Sequence, residues 1–298
     1  MTTSPLVRGR RLASELKELR TAAGLSSTEL GSKLSKSRMT VSRLETAKER
    51  PNVADVREVL DALGVTGDRW HALIKMASDA AERGWWEAFS PHMGERQQTY
   101  ANLESGALTI CEYQGVVVPG LLQTPDYTRA RTNWARIQGN HPPRYSSEKA
   151  IEARAFRQRM LDRPDGPRYE VVLEEVAVRR LAASPDVMSA QLRHVADTAE
   201  HDPRIRVLVL PVRVQIADNW LPSSSFSLYT YPDGDPDVAA VDTETADLIY
   251  TERDQVAPYA EIYRRMRDAA LSESDSIAVL RDAADEVLTR DEKRAHGT

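Results

Sequence analysis

Leu25-Ser26-Ser27-Thr28-Glu29-Leu30-Gly31-Ser32-Lys33-Leu34-Ser35-Lys36-Ser37-Arg38-Met39-Thr40-Val41-Ser42-Arg43-Leu44-Glu45 is the stretch on which the reading of this chain turns. Ser26 with Glu29 three residues later is a capping box, in which the serine hydroxyl and the glutamate carboxylate satisfy two orphan backbone N–H groups at a helix start. The helix it opens is expected to run to about Leu34. Ser37 is a second N-cap, ahead of a helix over about Arg38 to Thr46 with Val41 and Leu44 facing inward. Pro51 stops any continuation.

Three more helices surround this pair. Leu12, Leu16 and Leu19 recur at helical spacing in residues 7–23, and Gly24 ends that helix. Asn52 caps a fourth helix carrying Val56, Val59, Leu60 and Leu63, closed by Gly64. A fifth covers about residues 68–83, with Trp70, Leu73, Ile74 and Ala77 on its apolar side. Residues 1–83 therefore read as an all-α five-helix domain. From Gly84 the texture changes. Trp85, Trp86 and Phe89 precede Pro91 and Gly94, a junction at which a tryptophan pair reads as glue between domains. Strand patterns follow at 108–113, 169–173, 205–210, 225–229 and 238–241, with helical stretches at 125–137, 147–161, 184–200 and 256–270 and a helical tail over 273–288. Residues 84–298 are expected to form an α+β domain.

Charge separates the two parts. The 298-residue chain has a net charge of −5, but residues 1–80 hold 14 Lys and Arg against 10 Asp and Glu, and residues 8–50 hold 11 against 5. Local charge governs attraction to phosphates, so the basic N-terminal part suits nucleic acid and the acidic remainder limits indiscriminate binding. No apolar run is long enough to span a bilayer and no signal-peptide core follows Arg8, Arg10 and Arg11, so a cytoplasmic protein is expected, nucleoid-associated when bound to DNA. Cys111 is the only cysteine, which excludes an internal disulfide and a multi-cysteine metal site.

The stretch from Leu25 to Glu45 resembles the helix-turn-helix of the Cro and phage-repressor (XRE) family, over about residues 8–80. Leu30 and Val41 are placed to pack across the turn, and Gly31 stands where the family keeps a small residue. Ser27 and Ser37 open the two helices, where a short hydroxyl and unpaired backbone N–H groups can hold a phosphate. The third helix then enters the major groove N-terminus first. Its outward side chains are Arg38, Met39, Thr40, Ser42 and Arg43: Arg38 suits a guanine edge, and Met39 and the Thr40 methyl suit thymine methyls. Lys36 and Lys48 are expected on phosphates. The resemblance implies that Arg20 and Glu45 form an internal ion pair between the first and third helices and take no part in readout. The family often turns the chain with a glycine soon after that glutamate. Thr46-Ala47-Lys48 replaces it, so a longer or differently shaped helix end is expected.

Residues 84–288 resemble the C-terminal region of a large actinobacterial regulator family described as WhiJ-like or antitoxin-like. The signposts are Gly84-Trp85-Trp86, Tyr100-Ala101-Asn102-Leu103-Glu104, Val118-Pro119-Gly120-Leu121-Leu122-Gln123-Thr124-Pro125-Asp126-Tyr127, Leu173-Glu174-Glu175, Met188-Ser189-Ala190-Gln191-Leu192 and Val207-Leu208-Val209-Leu210-Pro211. The resemblance implies a regulator often encoded beside a small cognate protein that this domain binds. The family usually has a glycine in the loop after Leu210-Pro211, whereas residues 212–222 contain none; Trp220 and Leu221 make this loop individual.

Enzymatic signatures are missing. There is no phosphate-binding P-loop, no G-x-S-x-G elbow and no dinucleotide-binding glycine pattern. Glu174-Glu175 on a strand would point to opposite faces. His194, Asp197 and His201 fall on one predicted helix, but the histidines lie two turns apart, about 10 Å, too far to share one zinc ion. No cofactor and no metal is expected, and the chain is not expected to be an enzyme. A regulator reading a palindromic operator in double-stranded DNA as a homodimer, with a C-terminal domain that dimerises and senses a small partner protein, is the leading expectation. The alternatives are a small-molecule-responsive regulator, which requires a closed apolar pocket, and an antitoxin-like protein that binds a small cognate protein and autoregulates.

Overall fold

The computed structural model describes residues 3–137, 146–243 and 247–296. The chain divides into two compact units. One holds residues 1–87, 100–107 and 231–236; the other holds 88–99, 108–230 and 237–298.

The first unit is built on α1 (Pro5–Ala22), α2 (Ser27–Lys33), α3 (Arg38–Thr46), α4 (Val53–Ala62) and α5 (Gly67–Ala81). Local chemistry sets their ends. Ser4 caps α1 by accepting from the Val7 N–H, with Pro5 at the first helical position, where its missing N–H costs nothing. Asn52 caps α4 by accepting from the Ala54 N–H at 2.9 Å. Leu12, Leu16, Leu30, Val41, Val56, Leu60, Leu73 and Ala77 meet in one core, each large side chain contributing about 1.5–3 kcal/mol by burial. A 3-10 turn over Trp85–Phe89 folds Trp86 back over Gly84, where a Cβ would lie 2.2 Å from the indole ring. Two later segments complete the unit. Asn102, on α6 (Glu95–Glu104), accepts from Ser4 Oγ at 2.8 Å and from the Leu6 N–H at 3.1 Å. Tyr231 donates to the Leu103 carbonyl at 2.6 Å.

The second unit is a six-stranded mixed sheet with helices, an α+β fold. Its strands are β1 (Thr109–Gln114), β2 (Arg168–Glu174), β3 (Ile205–Leu210), β4 (Phe226–Thr230), β5 (Val238–Asp242) and β6 (Asp247–Tyr250), in the order β3-β2-β1-β4-β5-β6. β1, β2 and β3 are parallel, with Glu112 opposite Val171 and Val171 opposite Val207; β4, β5 and β6 continue antiparallel, with Tyr113 opposite Phe226. Parallel pairing needs crossovers. These are α7 (Pro125–Ile137) with α8 (Ser147–Asp162), then α9 (Glu175–Arg179) with α10 (Pro185–His201). Val171, Val172 and Leu173 are fully buried in succession, as expected of a strand covered on both faces. α11 (Arg253–Ala269) packs Tyr263 and Met266 against Val172, Leu208, Phe226 and Val241. The outer edge of β3 is blunted where α12 (Glu273–His296) begins: Val209 N–H donates to Ser276 Oγ, and its carbonyl accepts from the Leu271 N–H, both at 2.9 Å.

The 118–127 stretch is a clamped turn. Leu121 and Leu122 are buried in a 3-10 turn, Gln123 donates to the Val118 carbonyl, Gln191 donates to the Leu122 carbonyl and accepts from the Thr124 N–H, each at 2.7 Å. Gln158 donates to the carbonyls of Gly120 and Gln123.

Three elements depart from the sequence pattern. α6 has little apolar stripe, α9 is five residues long and β6 four, each too short or too polar to carry a periodic signal. Glu174 and Glu175 do not share a strand: β2 ends at Glu174 and Glu175 opens α9.

Candidate DNA-binding surface

The site is the α2–turn–α3 pair. Ser26 Oγ accepts from the Glu29 N–H at 3.2 Å, and the Glu29 carboxylate accepts from the Ser26 N–H at 2.8 Å. That backbone bond, with the serine hydroxyl, holds the Glu29 carboxyl below its ordinary range. Ser27 is the first residue of α2 and half-buried. The turn is tight because Gly31 lacks a side chain. A Cβ there would sit 3.0 Å from the Lys36 carbonyl oxygen and 3.2 Å from the Arg38 nitrogen, against backbone that cannot move aside. The close approach is therefore between α2 and the chain that opens α3.

α3 begins at Ser37, whose hydroxyl accepts from the Thr40 N–H at 3.2 Å and lies 3.1 Å from the Thr40 hydroxyl. Val41 is buried beside Leu30, which turns the opposite face outward. Arg38 and Arg43 are exposed, Thr40 and Ser42 half-buried, and Met39 is 68% exposed. An exposed methionine on a polar helix gains nothing from water, and it sits where the XRE resemblance puts base contacts. Arg38 and Lys48 form no ion pair among the described residues, whereas Arg43 lies 3.5 Å from the Glu49 carboxylate across exposed surface. Such a surface pair is weak and leaves Arg43 available.

Arg20 and Glu45 are joined by a two-pronged pair, Nε to Oε1 at 2.6 Å and Nη2 to Oε2 at 2.9 Å, with side chains only 13% and 8% exposed. The third prong, Nη1, donates to the Leu25 carbonyl at 2.6 Å. One guanidinium thus fixes α1, the start of the α2 turn and α3. The bond to Glu45 raises the Arg20 pKa.

The end of α3 corrects the expectation of a longer helix. α3 stops at Thr46, and Ala47 takes the left-handed turn itself, at φ 48° and ψ 28°. The chain follows the glycine path with an alanine, at a cost of about 1–2 kcal/mol.

Lys36 does not stand apart from the protein. It forms ion pairs with Asp55 and with Glu58, the second at 2.9 Å, and these carboxylates raise its pKa. Lys33 donates to the Ala62 carbonyl at 2.8 Å. Arg8 and Arg11, counted in the basic stretch, face Asp233 and Asp235 at 3.2 and 3.0 Å. Asp55, Glu58, Asp233 and Asp235 are the residues that sequence reasoning missed. They lie 19 to 227 positions from their partners, and nothing local announces them.

Two short helices with a buried packing face, capped N-termini and cations on the outward face of the second define a helix-turn-helix, the architecture of a DNA-binding regulator. Comparison with known proteins agrees: a helix-turn-helix domain model matches residues 11–73. A second model, described as a domain of unknown function (DUF5753), matches residues 97–282, and the chain belongs to that family. No curated protein and no solved structure matches it. Among the described residues no helix is long and apolar enough to cross a membrane. On α10, His201 Nδ1 lies 2.7 Å from the Asp197 carbonyl and the Asp197 carboxylate 3.3 Å from Arg281, so this segment satisfies itself.

Proposed function

We propose that the chain is a sequence-specific transcription regulator that binds a palindromic operator as a homodimer, with Arg38, Met39, Thr40, Ser42 and Arg43 reading bases and Ser27, Ser37 and Lys48 on phosphates. The observation that carries this is α3 itself, fixed from behind by the Arg20–Glu45 pair and presenting Arg38 and Met39 outward. Lys36 joins the phosphate contacts only by leaving Asp55 and Glu58, so its contribution is the smallest of the set. Dimerisation follows from physics: one short helix reads few base pairs, and two copies on a palindrome supply the missing affinity. The C-terminal unit is the regulatory part, which we read as dimerising and sensing a small cognate protein, in line with its likeness to WhiJ-like regulators.

No chemical step belongs to this reading. Burial pushes the Cys111 thiol up to about 11, which leaves no thiolate at neutral pH. The Tyr113 hydroxyl is occupied by Glu174 at 2.8 Å.

The test is genome-wide mapping of bound sites with the full chain, followed by operator titration with and without the product of any small gene found beside its own. Enriched palindromic sites whose affinity shifts with that product are expected. The absence of any enriched site would withdraw the reading.

A further inference from the structure

The second unit bears a basic spot on an acidic background. Residues 81–298 hold 26 Lys and Arg against 35 Asp and Glu. Yet one open cleft of about 660 Å³ is lined by Arg179, Arg180 and Arg213 with a single carboxylate, Glu175. Val176, Pro211 and Val212 supply apolar wall between them. The cleft lies between α9, which follows β2, and the loop that follows β3. It is thus at the carboxyl ends of two adjacent parallel strands.

Its walls are fixed. Glu175 accepts from Arg179 Nε at 2.6 Å and from the Val212 N–H at 3.1 Å, which bridges the two sides. Those bonds, with the nearby charges of Arg179 and Arg213, hold Glu175 below the ordinary carboxylate range, so it stays ionised. Arg179 also reaches Glu286 at 3.1 Å, which spends its charge internally. Arg180 and Arg213 are exposed and form no ion pair among the described residues. The apolar surface beside them is unusually bare. Val212 is 61% exposed, and Leu181, next in the chain to Arg180, is 50% exposed.

We propose that this cleft docks an acidic peptide segment of a second protein, with carboxylates on Arg180 and Arg213 and apolar side chains against Val176, Pro211 and Val212. The proposal rests on the partner-sensing reading above and names the surface that does the sensing. Two exposed guanidiniums that form no ion pair among the described residues call for carboxylates. The apolar wall of Val176, Pro211 and exposed Val212 calls for apolar side chains, which a free inorganic anion lacks. An open cleft also leaves most of a small ligand in water, whereas a chain segment continues past both ends.

The experiment uses the full chain and a fluorescein-labelled twelve-residue peptide of alternating Glu and Leu, read by anisotropy at low salt. The Arg180→Glu/Arg213→Glu variant keeps every internal bond described here, and Arg253→Glu, at the start of α11, controls for loss of positive charge as such. Binding by the wild type and by R253E is expected, with at least a tenfold loss in R180E/R213E and no binding of a peptide with Gln for Glu. Equal affinity in R180E/R213E, or no binding by the wild type, overturns the proposal. So does displacement of the peptide by equimolar inorganic phosphate, which would make this a small-anion site. A wild-type dimer that R180E/R213E dissociates makes the occupant a second copy of this chain and overturns it too. Co-purification of the product of any small gene found beside this one is scored separately on wild type and variant: retained by both, it leaves the partner reading standing and removes the cleft from it.

Discussion

The two units differ in the distance over which their functional surfaces are assembled. In the helical unit the proposed DNA-binding surface spans residues 27–48, and each helix start is fixed by a residue within three positions of it. In the sheet unit the basic cleft joins residues 175–180 to 211–213, which meet only because β2 pairs with β3. The same unit bonds Tyr169 to Glu112, 57 positions away, and Thr109 to Thr230, 121 away. Surface built from local chemistry is legible in a sequence. Surface built from strand pairing is not, even where the strands themselves are.

The sharpest way to break the comparison is to remove readout without touching the scaffold. Arg38 and Arg43 are exposed and carry none of the core. A lost base contact costs about 1–3 kcal/mol, so R38A/R43A is expected to weaken operator binding by about 30-fold or more while the thermal midpoint stays within about 2 °C. Mobility-shift titration and calorimetry check both halves. Undiminished affinity would mean that α3 does not read DNA.

Legibility followed the same divide within the site. The caps at Ser26, Ser37 and Asn52 and the inward residues Leu30 and Val41 were open to sequence reasoning because they depend on neighbours. The sheet's first five strands were open to it too, as apolar runs bounded by turn residues. The availability of the cations was not. Arg8 and Arg11 count toward a basic patch until Asp233 and Asp235 meet them, on a turn in which Asp233 and Gly234 take positive φ. Lys36 is drawn the same way to Asp55 and Glu58 on α4. Charge counted along a chain therefore overstates the field that a phosphate meets, and here it does so at Arg8, Arg11 and Lys36, whose partners lie outside the basic stretch.

The Arg20–Glu45 pair joins residues 25 positions apart within the helical unit, so it tests the divide from the other side. E45A leaves a guanidinium mostly out of water with one carbonyl partner, at an expected cost of about 3 kcal/mol. Denaturant unfolding of the full chain reads it as a lower midpoint of its helical transition. R20A/E45A is expected to be less destabilised than the sum of the single variants, because the second truncation removes the charge that the first left stranded. Additive losses would show that the two side chains do not act as a pair. Operator affinity is expected to fall in E45A as well, since α3 loses its anchor to α1.

Ala47 carries the smallest effect and the cleanest sign. Its left-handed conformation is local, with no partner to lose, so the change to glycine alters backbone preference alone. Relief of about 1–2 kcal/mol of strain is offset by the greater freedom that glycine gives the unfolded chain, worth about 0.4–1 kcal/mol. A47G is therefore expected to stabilise the helical unit by about 0.5–1 kcal/mol, read as a raised denaturant midpoint, with operator affinity unchanged. An unchanged or lowered midpoint would mean that Ala47 does not hold this conformation in solution, and that α3 extends past Thr46 as its sequence alone suggests. Lys48 would then be carried onto the helix face, and its place among the phosphate contacts would have to be redrawn.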